Sequence, residues 1–273
     1  VDNVRNLGGD IAVAGRIALL RLRGQMQYRM SFWLQVVGNF VVNGVEVLVL
    51  WALFQHFESL GGWNLREIVF LHGLAMLMFS IGDTISNGIQ TVPGLIRDGD
   101  FDRTLIRPMS TYLQALVNEV SLRHFGQFLQ GAMLLGIGIA LVDIDWSLGK
   151  LVYLPIVVAS GAALFVALFT IEAIISFWTV GSIEAINAFT YGGSDLGQYP
   201  LHVFRSGLRL VFLWVIPIGF MTYFPAVYLL GKDDPLGFPR IAYFMAPVAA
   251  LIFCLVVNRG WAFALRHYQS TGS

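Results

Sequence analysis

Charge is scarce in this chain. Of 273 residues, 12% are Asp, Glu, Lys or Arg, against about 25% in a soluble domain. Half the usual density leaves too few water-compatible groups to cover a globule of this size. That argues against a soluble enzyme, a nucleic-acid binder and a disordered chain. Cysteine is nearly absent as well: Cys254 has no partner, so disulfide and zinc frameworks are out. The five histidines (56, 72, 124, 202 and 267) are scattered, with no H-x-x-x-H pair, and there is no G-x-S-x-G. A P-loop needs G-x-x-x-x-G-K-[ST], because backbone N–H groups and the Lys must cradle phosphates. Gly149-Lys150 and Gly231-Lys232 are the Gly-Lys pairs, and neither has the rest of the motif. ATP hydrolysis by this chain alone is therefore not expected. Nor is a cleavable signal peptide, since five arginines occupy the first 29 residues.

Apolar residues are abundant: 56% of the chain is hydrophobic and 14% aromatic, with mean hydropathy +0.69. A membrane span needs about 20 apolar residues, so the length accommodates six. The expected spans are Met30–Phe54, Glu67–Ile89, Phe125–Val142, Lys150–Val180, Phe204–Leu230 and Ile241–Trp261, with Thr111–His124 a helix leading into the third. The fold expected is an all-α integral membrane protein in three stretches. Residues 1–29 form an N-terminus with an interfacial helix, 30–262 a six-span domain and 263–273 a tail. Asp10 is the expected N-cap of the first helix. Ile11, Ala14, Ala18, Leu22 and Met26 share one face of it, with Arg16 and Arg23 opposite. That pattern suits an interfacial helix; the first turn of a span is the alternative. Residues 181–203, rich in Gly, Ser, Asp and Tyr, read as a loop. Pro217 and Pro225 interrupt the fifth run, where they remove backbone donors. Thr222–Pro239 then fits either the kinked end of a continuous helix or a re-entrant hairpin on the outer face.

Six spans put the termini and even-numbered loops on one side. Thirteen arginines flank that side (5, 16, 21, 23, 29, 97, 103, 107, 123, 205, 209, 259 and 266), against Arg66, Lys150, Lys232 and Arg240 on the other. The positive-inside bias makes both termini cytoplasmic. Glu46, Asp83 and Glu172 fall within spans. An acid at that depth must face protein or water, or be protonated. Asp83 and Glu172 lie near span ends, whereas Glu46 is deeper. With Asn39 and Asn43 it forms a candidate polar seam lining a translocation path. Ala159, Ala163 and Ala167 offer a small face for helix packing.

The loop 91–108 is the most charged stretch. Arg97, Asp98, Asp100, Asp102, Arg103 and Arg107 are interspersed with Val92, Leu95, Ile96, Phe101, Leu105 and Ile106. A merely solvated loop would not hold six large apolar residues. A short helix on the cytoplasmic face would, and it could dock on another protein or fold back on its own bundle.

The stretch GDFDRTLIRPMSTYLQAL, Gly99 to Leu116, resembles the loop of ATP-binding-cassette permeases of the type-2 exporter superfamily. It is most similar to a bacterial group related to drug-export permeases, with the pattern G-x-[FL]-D-x-x-L-[IL]-R-P. Gly99, Phe101, Asp102, Leu105, Ile106, Arg107 and Pro108 carry the match. The resemblance implies two permeases, identical or sibling, with two ATPase subunits below them in a bacterial inner membrane. ATP and Mg would sit in the ATPase, and this chain would hold no cofactor. Phe101, Asp102, Arg103, Leu105, Arg107 and Pro108 would form the coupling helix, and Pro217 and Pro225 an outer gate. From other classes, an ATP-independent channel or secondary transporter would predict inverted repeats, and none stands out. A membrane-embedded enzyme has no specific residue pattern in its favour.

Overall fold

The computed structural model describes residues 7–25, 29–119, 125–179 and 183–268. Among them the chain is helical, apart from loops and an isolated bridge between Leu60 and Trp63. Helix α1 spans Leu7–Gln25, α2 Arg29–Phe54 and α3 Leu65–Gln90. Three short helices follow: α4 Val92–Arg97, α5 Asp102–Leu105 and α6 Thr111–Asn118. Then come α7 Phe125–Leu141, α8 Leu148–Ile175 and α9 Ile183–Gly197. Helix α10, Ser206–Leu210, runs into a π turn, Val211–Val215. Helices α11 Ile218–Met221, α12 Tyr223–Leu230 and α13 Ala246–His267 complete the chain.

Helix α3 is the central column, packed against α7 and α8. Its start is fixed by a capping box. The Asn64 side chain accepts from the Glu67 N–H, and the Glu67 carboxylate accepts from the Asn64 N–H. Glycines let α7 approach: a Cβ on Gly73 would overlap the Leu135 backbone, and one on Gly138 would overlap Phe70. Against α8 the close contacts are Gly161 on Met78 and Gly82 on Phe165. The alanine stripe is not that face. Ala159 is exposed, Ala163 half-buried and Ala167 buried near Trp261 of α13, whereas Gly161 and Phe165 turn toward α3.

Four helical stretches are long and apolar enough to cross a membrane: Val36–Phe54, Leu65–Arg97, Leu148–Ile175 and Ala246–His267. The expected fifth span, Phe204–Leu230, is not a continuous crossing. Its two halves meet at 72° around Pro217, and both ends lie at one end of the bundle. Before it, His202 Nε2 is 2.7 Å from the Gly61 carbonyl; after it, the Lys232 ammonium donates to the Gly62 carbonyl at 3.1 Å. At the tip, Ile218 closes on Gly193 and Gly197 of α9, and Phe212 on Gly193. Residues 206–230 are thus a re-entrant hairpin, longer than and displaced from the Thr222–Pro239 alternative. The chain rises toward Gly61 through α9, which lies in the stretch expected to be a loop.

Two other expectations shift. Asp10 lies inside the first turn of α1, not at its cap, and its carboxylate accepts from the Ser110 N–H at 3.2 Å. Arg205 and Arg209 begin the hairpin and so belong with Arg66, Lys150, Lys232 and Arg240. The arginine and lysine bias falls to eleven against six and keeps its direction. Val180 and residues 120–124, at the expected ends of the fourth span and of the Thr111–His124 helix, lie outside the described residues.

Candidate coupling loop, hairpin gate and polar path

The loop after α3 is held from behind by aromatic rings. Phe101 is fully enclosed. Its ring meets Phe177 edge-on at 5.2 Å and Tyr268 at 5.2 Å. Phe177 in turn meets Trp261 at 5.9 Å, and Trp261 meets Tyr112 at 5.4 Å. The Trp261 indole N–H donates to Thr111 Oγ1 at 3.2 Å, and the Tyr112 hydroxyl lies 3.4 Å from Thr170 Oγ1. Burial raises the Tyr112 phenol above its ordinary pKa, more than the Thr170 hydrogen bond lowers it. These contacts join the loop to the last turns of α8 and α13. On the α3 side, Asn118 Nδ2 donates to Thr91 Oγ1 at 2.9 Å, and α6 lies so close that a Cβ on Gly88 would overlap the Ala115 carbonyl.

Of the six residues expected to touch an ATPase, Phe101 is therefore turned inward, because Phe177 and Tyr268 offer its ring an apolar pocket. Leu105, Arg107 and Pro108 are exposed, and Asp102 is half-buried. Arg103 pairs with Asp100 at 3.4 Å in solvent, an arrangement worth little to stability. Ile106, at 83% exposed, is the most prominent apolar side chain of the loop. Charge alternation and apolar content marked this segment in the sequence. Which ring points inward depends on residues more than 70 positions away.

At the opposite end the hairpin is held by polar ties. The Lys232 ammonium donates to both Glu67 oxygens, at 2.8 and 2.9 Å, and stands 5.4 Å above the Trp63 ring. Tyr223 donates to Asp234 Oδ1 at 2.7 Å, while Asp234 also accepts from the N–H groups of Leu236 and Phe238, each at 3.0 Å. The Lys150 ammonium donates to the Leu229 carbonyl at 2.9 Å, and the Tyr153 hydroxyl donates to the Tyr243 carbonyl. Burial and the Asp234 charge together push the Tyr243 phenol up. Of the two candidate gate prolines, Pro217 makes the bend. Pro225 falls in the first turn of α12, where a missing N–H costs no helical bond.

Of the candidate path, Glu46 is an exposed residue of α2. It lies within electrostatic reach of Asp195 on α9 and of Tyr199 just beyond it. The side chains of Asn39 and Asn43 are outside the described ones. Asp195 and Tyr199 were missed because 181–203 read as a loop. Asp83, in contrast, is buried and accepts from Gln90 Nε2 at 2.7 Å, and Glu172 is buried in α8. No group of three or more His, Cys, Asp or Glu fit for a metal occurs among the described residues.

Long apolar helices around a glycine-packed column, with a backed loop at one end and a re-entrant hairpin at the other, define an all-α, multi-pass membrane protein. The chain belongs to the ABC-2 family transporter proteins, whose family model matches residues 40–272. It is thus a membrane permease of an ATP-binding-cassette transporter, the component of such systems that is not itself catalytic. No curated protein and no solved structure matches the chain.

Proposed function

We propose that this permease forms the translocation path of an exporter driven by a separate ATPase, with no cofactor of its own. The observation that carries the reading is the exposed edge Leu105–Pro108, backed by the Phe101 aromatic cluster. An exposed apolar knob is a docking feature. One fixed to three long helices can pass a push to all of them. Two ATPase subunits bind two permeases, identical or sibling, at the loop end. ATP and Mg reside in the ATPase. The permease has six spans, with α9 as the fifth, and lies in a bacterial inner membrane with both termini cytoplasmic. The hairpin, bent at Pro217 and started again at Pro225, closes the outer side, and Glu46 with Asp195 lines the route.

The test is copurification with the ATPase encoded beside the permease gene. An ATPase chain retained in detergent, and lost or uncoupled in Asp102→Arg, supports the reading. Wild-type assembly and substrate-stimulated turnover in that variant argue that contact is made elsewhere. Cysteine labelling in intact cells should reach residues 231–240 and miss 97–107; the reverse pattern sinks the orientation.

A further inference from the structure

A cavity of about 320 Å³ lies between α1 and α6, at the small end of the range of ligand pockets. From α1 it is lined by Val13, Ile17 and Arg21, and from the other wall by Arg107, Met109 and Val117. Neither Arg21 nor Arg107 has an ion-pair partner among the described residues. Asp10, the one acid on the wall, is engaged with the Ser110 N–H. Gln114 also lines the cavity and is 5% exposed. Its Nε2 donates to the Met109 carbonyl at 2.7 Å, but its Oε1 is buried with no partner. A buried acceptor left unpaired costs free energy, so this wall is short of one donor.

The cavity therefore presents two cations, an unsatisfied acceptor and an apolar lining. Helix α1 carries exposed Leu19 and Leu20 on the same element as its arginines, the composition of a helix lying at a membrane surface. We propose that this cavity binds an anionic phospholipid whose headgroup carries a hydroxyl. The phosphodiester lies between Arg21 and Arg107, where guanidinium forks match its oxygens. The headgroup hydroxyl donates to Gln114 Oε1. The start of an acyl chain covers Val13, Ile17 and Val117. Basic pockets at the membrane surface recognise lipid headgroups by this chemistry. The bound lipid bridges α1 to the end of the coupling loop, so it sets how firmly Arg107–Ser110 is held. The site shares Arg107 and Pro108 with the edge proposed to meet the ATPase, but every group that holds the lipid belongs to this chain.

The test is native mass spectrometry of the purified full-length permease, delipidated and titrated with dioctanoyl phosphatidylglycerol, dioctanoyl phosphatidylcholine or glycerol 3-phosphate. Phosphatidylglycerol should bind about tenfold more tightly than phosphatidylcholine, the size of one lost charged hydrogen bond. Glycerol 3-phosphate should neither bind nor compete at matched concentration. Arg21→Gln should weaken phosphatidylglycerol binding by about tenfold and Gln114→Leu by about threefold. Arg16→Gln, on another face of α1, should leave it unchanged. Equal binding of the two lipids by the unaltered permease overturns the proposal without recourse to any variant. Full binding by Arg21→Gln also overturns it, and competition by glycerol 3-phosphate would make this a site for a soluble phosphate. The assay uses the permease alone, so a failed ATPase copurification would leave its result standing.

Discussion

The two ends of the bundle are fastened by different chemistry. The loop end is held by rings: Phe101, Phe177, Tyr268, Trp261 and Tyr112 pack edge to face across the loop, α6 and the ends of α8 and α13. The hairpin end has a buried apolar face too, but it adds polar ties, from Lys232 to Glu67, Tyr223 to Asp234 and Lys150 to Leu229. Apolar burial depends less sharply on distance and angle than a hydrogen bond does, so the loop can shift with its neighbours and stay attached. Hydrogen bonds and ion pairs weaken steeply with distance and angle, so the hairpin's polar ties can break one at a time. On the proposed function, the loop end moves as a piece and the hairpin end opens.

Phe101→Ala is expected to have the largest effect. Removing a fully buried ring costs about 3–5 kcal/mol. The thermal midpoint should fall, with hydrogen exchange rising across residues 91–118 and around Phe177. Unchanged exchange there would break the contrast. Next, Lys232→Met leaves the Glu67 carboxylate without its cation and should cost about 2 kcal/mol. Protease sensitivity should rise within 205–240 while the loop end stays protected. Tyr223→Phe deletes one hydrogen bond, worth about 1 kcal/mol. It should speed exchange at Leu236 and Phe238, whose N–H groups depend on Asp234. Smallest for stability is Ile106→Asp, within about 0.5 kcal/mol because the residue is exposed. That variant should nonetheless uncouple ATP turnover. A loss of stability comparable to that of Phe101→Ala would show that Ile106 packs in the assembly of this chain alone.

That residues 91–108 fold as short helices was legible in the sequence, since a merely solvated loop would not mix six charges with six large apolar residues. The inward turn of Phe101 was not, because its pocket is made by Phe177 and Tyr268. At the hairpin end, hydropathy misled. Residues 204–230 are strongly apolar, yet Ile218, Phe220, Met221, Phe224, Val227 and Leu229 are buried in protein. Apolar composition records the absence of water and leaves direction unstated. The opposite error hid α9. Its glycines with Tyr191, Ser194 and Asp195 gave it the look of a loop, but Thr190 and Ser194 are buried inside the bundle, where polar side chains face protein. Glu46 stood out by its place within an apolar run, while its neighbours Asp195 and Tyr199 went with the misread segment.

Helix α3 touches both fastenings. Trp63, Asn64 and Glu67 stand at one extremity with Lys232 against them, and Gly88 and Thr91 at the other press on α6. Its 26 residues contain no proline and run as one helix, which at 1.5 Å per residue is a strut about 39 Å long. A strut of that length is a lever. Tilting it by about 5° at the loop carries the far end through about 3 Å, as far as the whole Lys232–Glu67 separation. No relay of side-chain rearrangements is needed between the two ends, and stiffness alone makes the ion pair at one end answer to the position of the loop at the other.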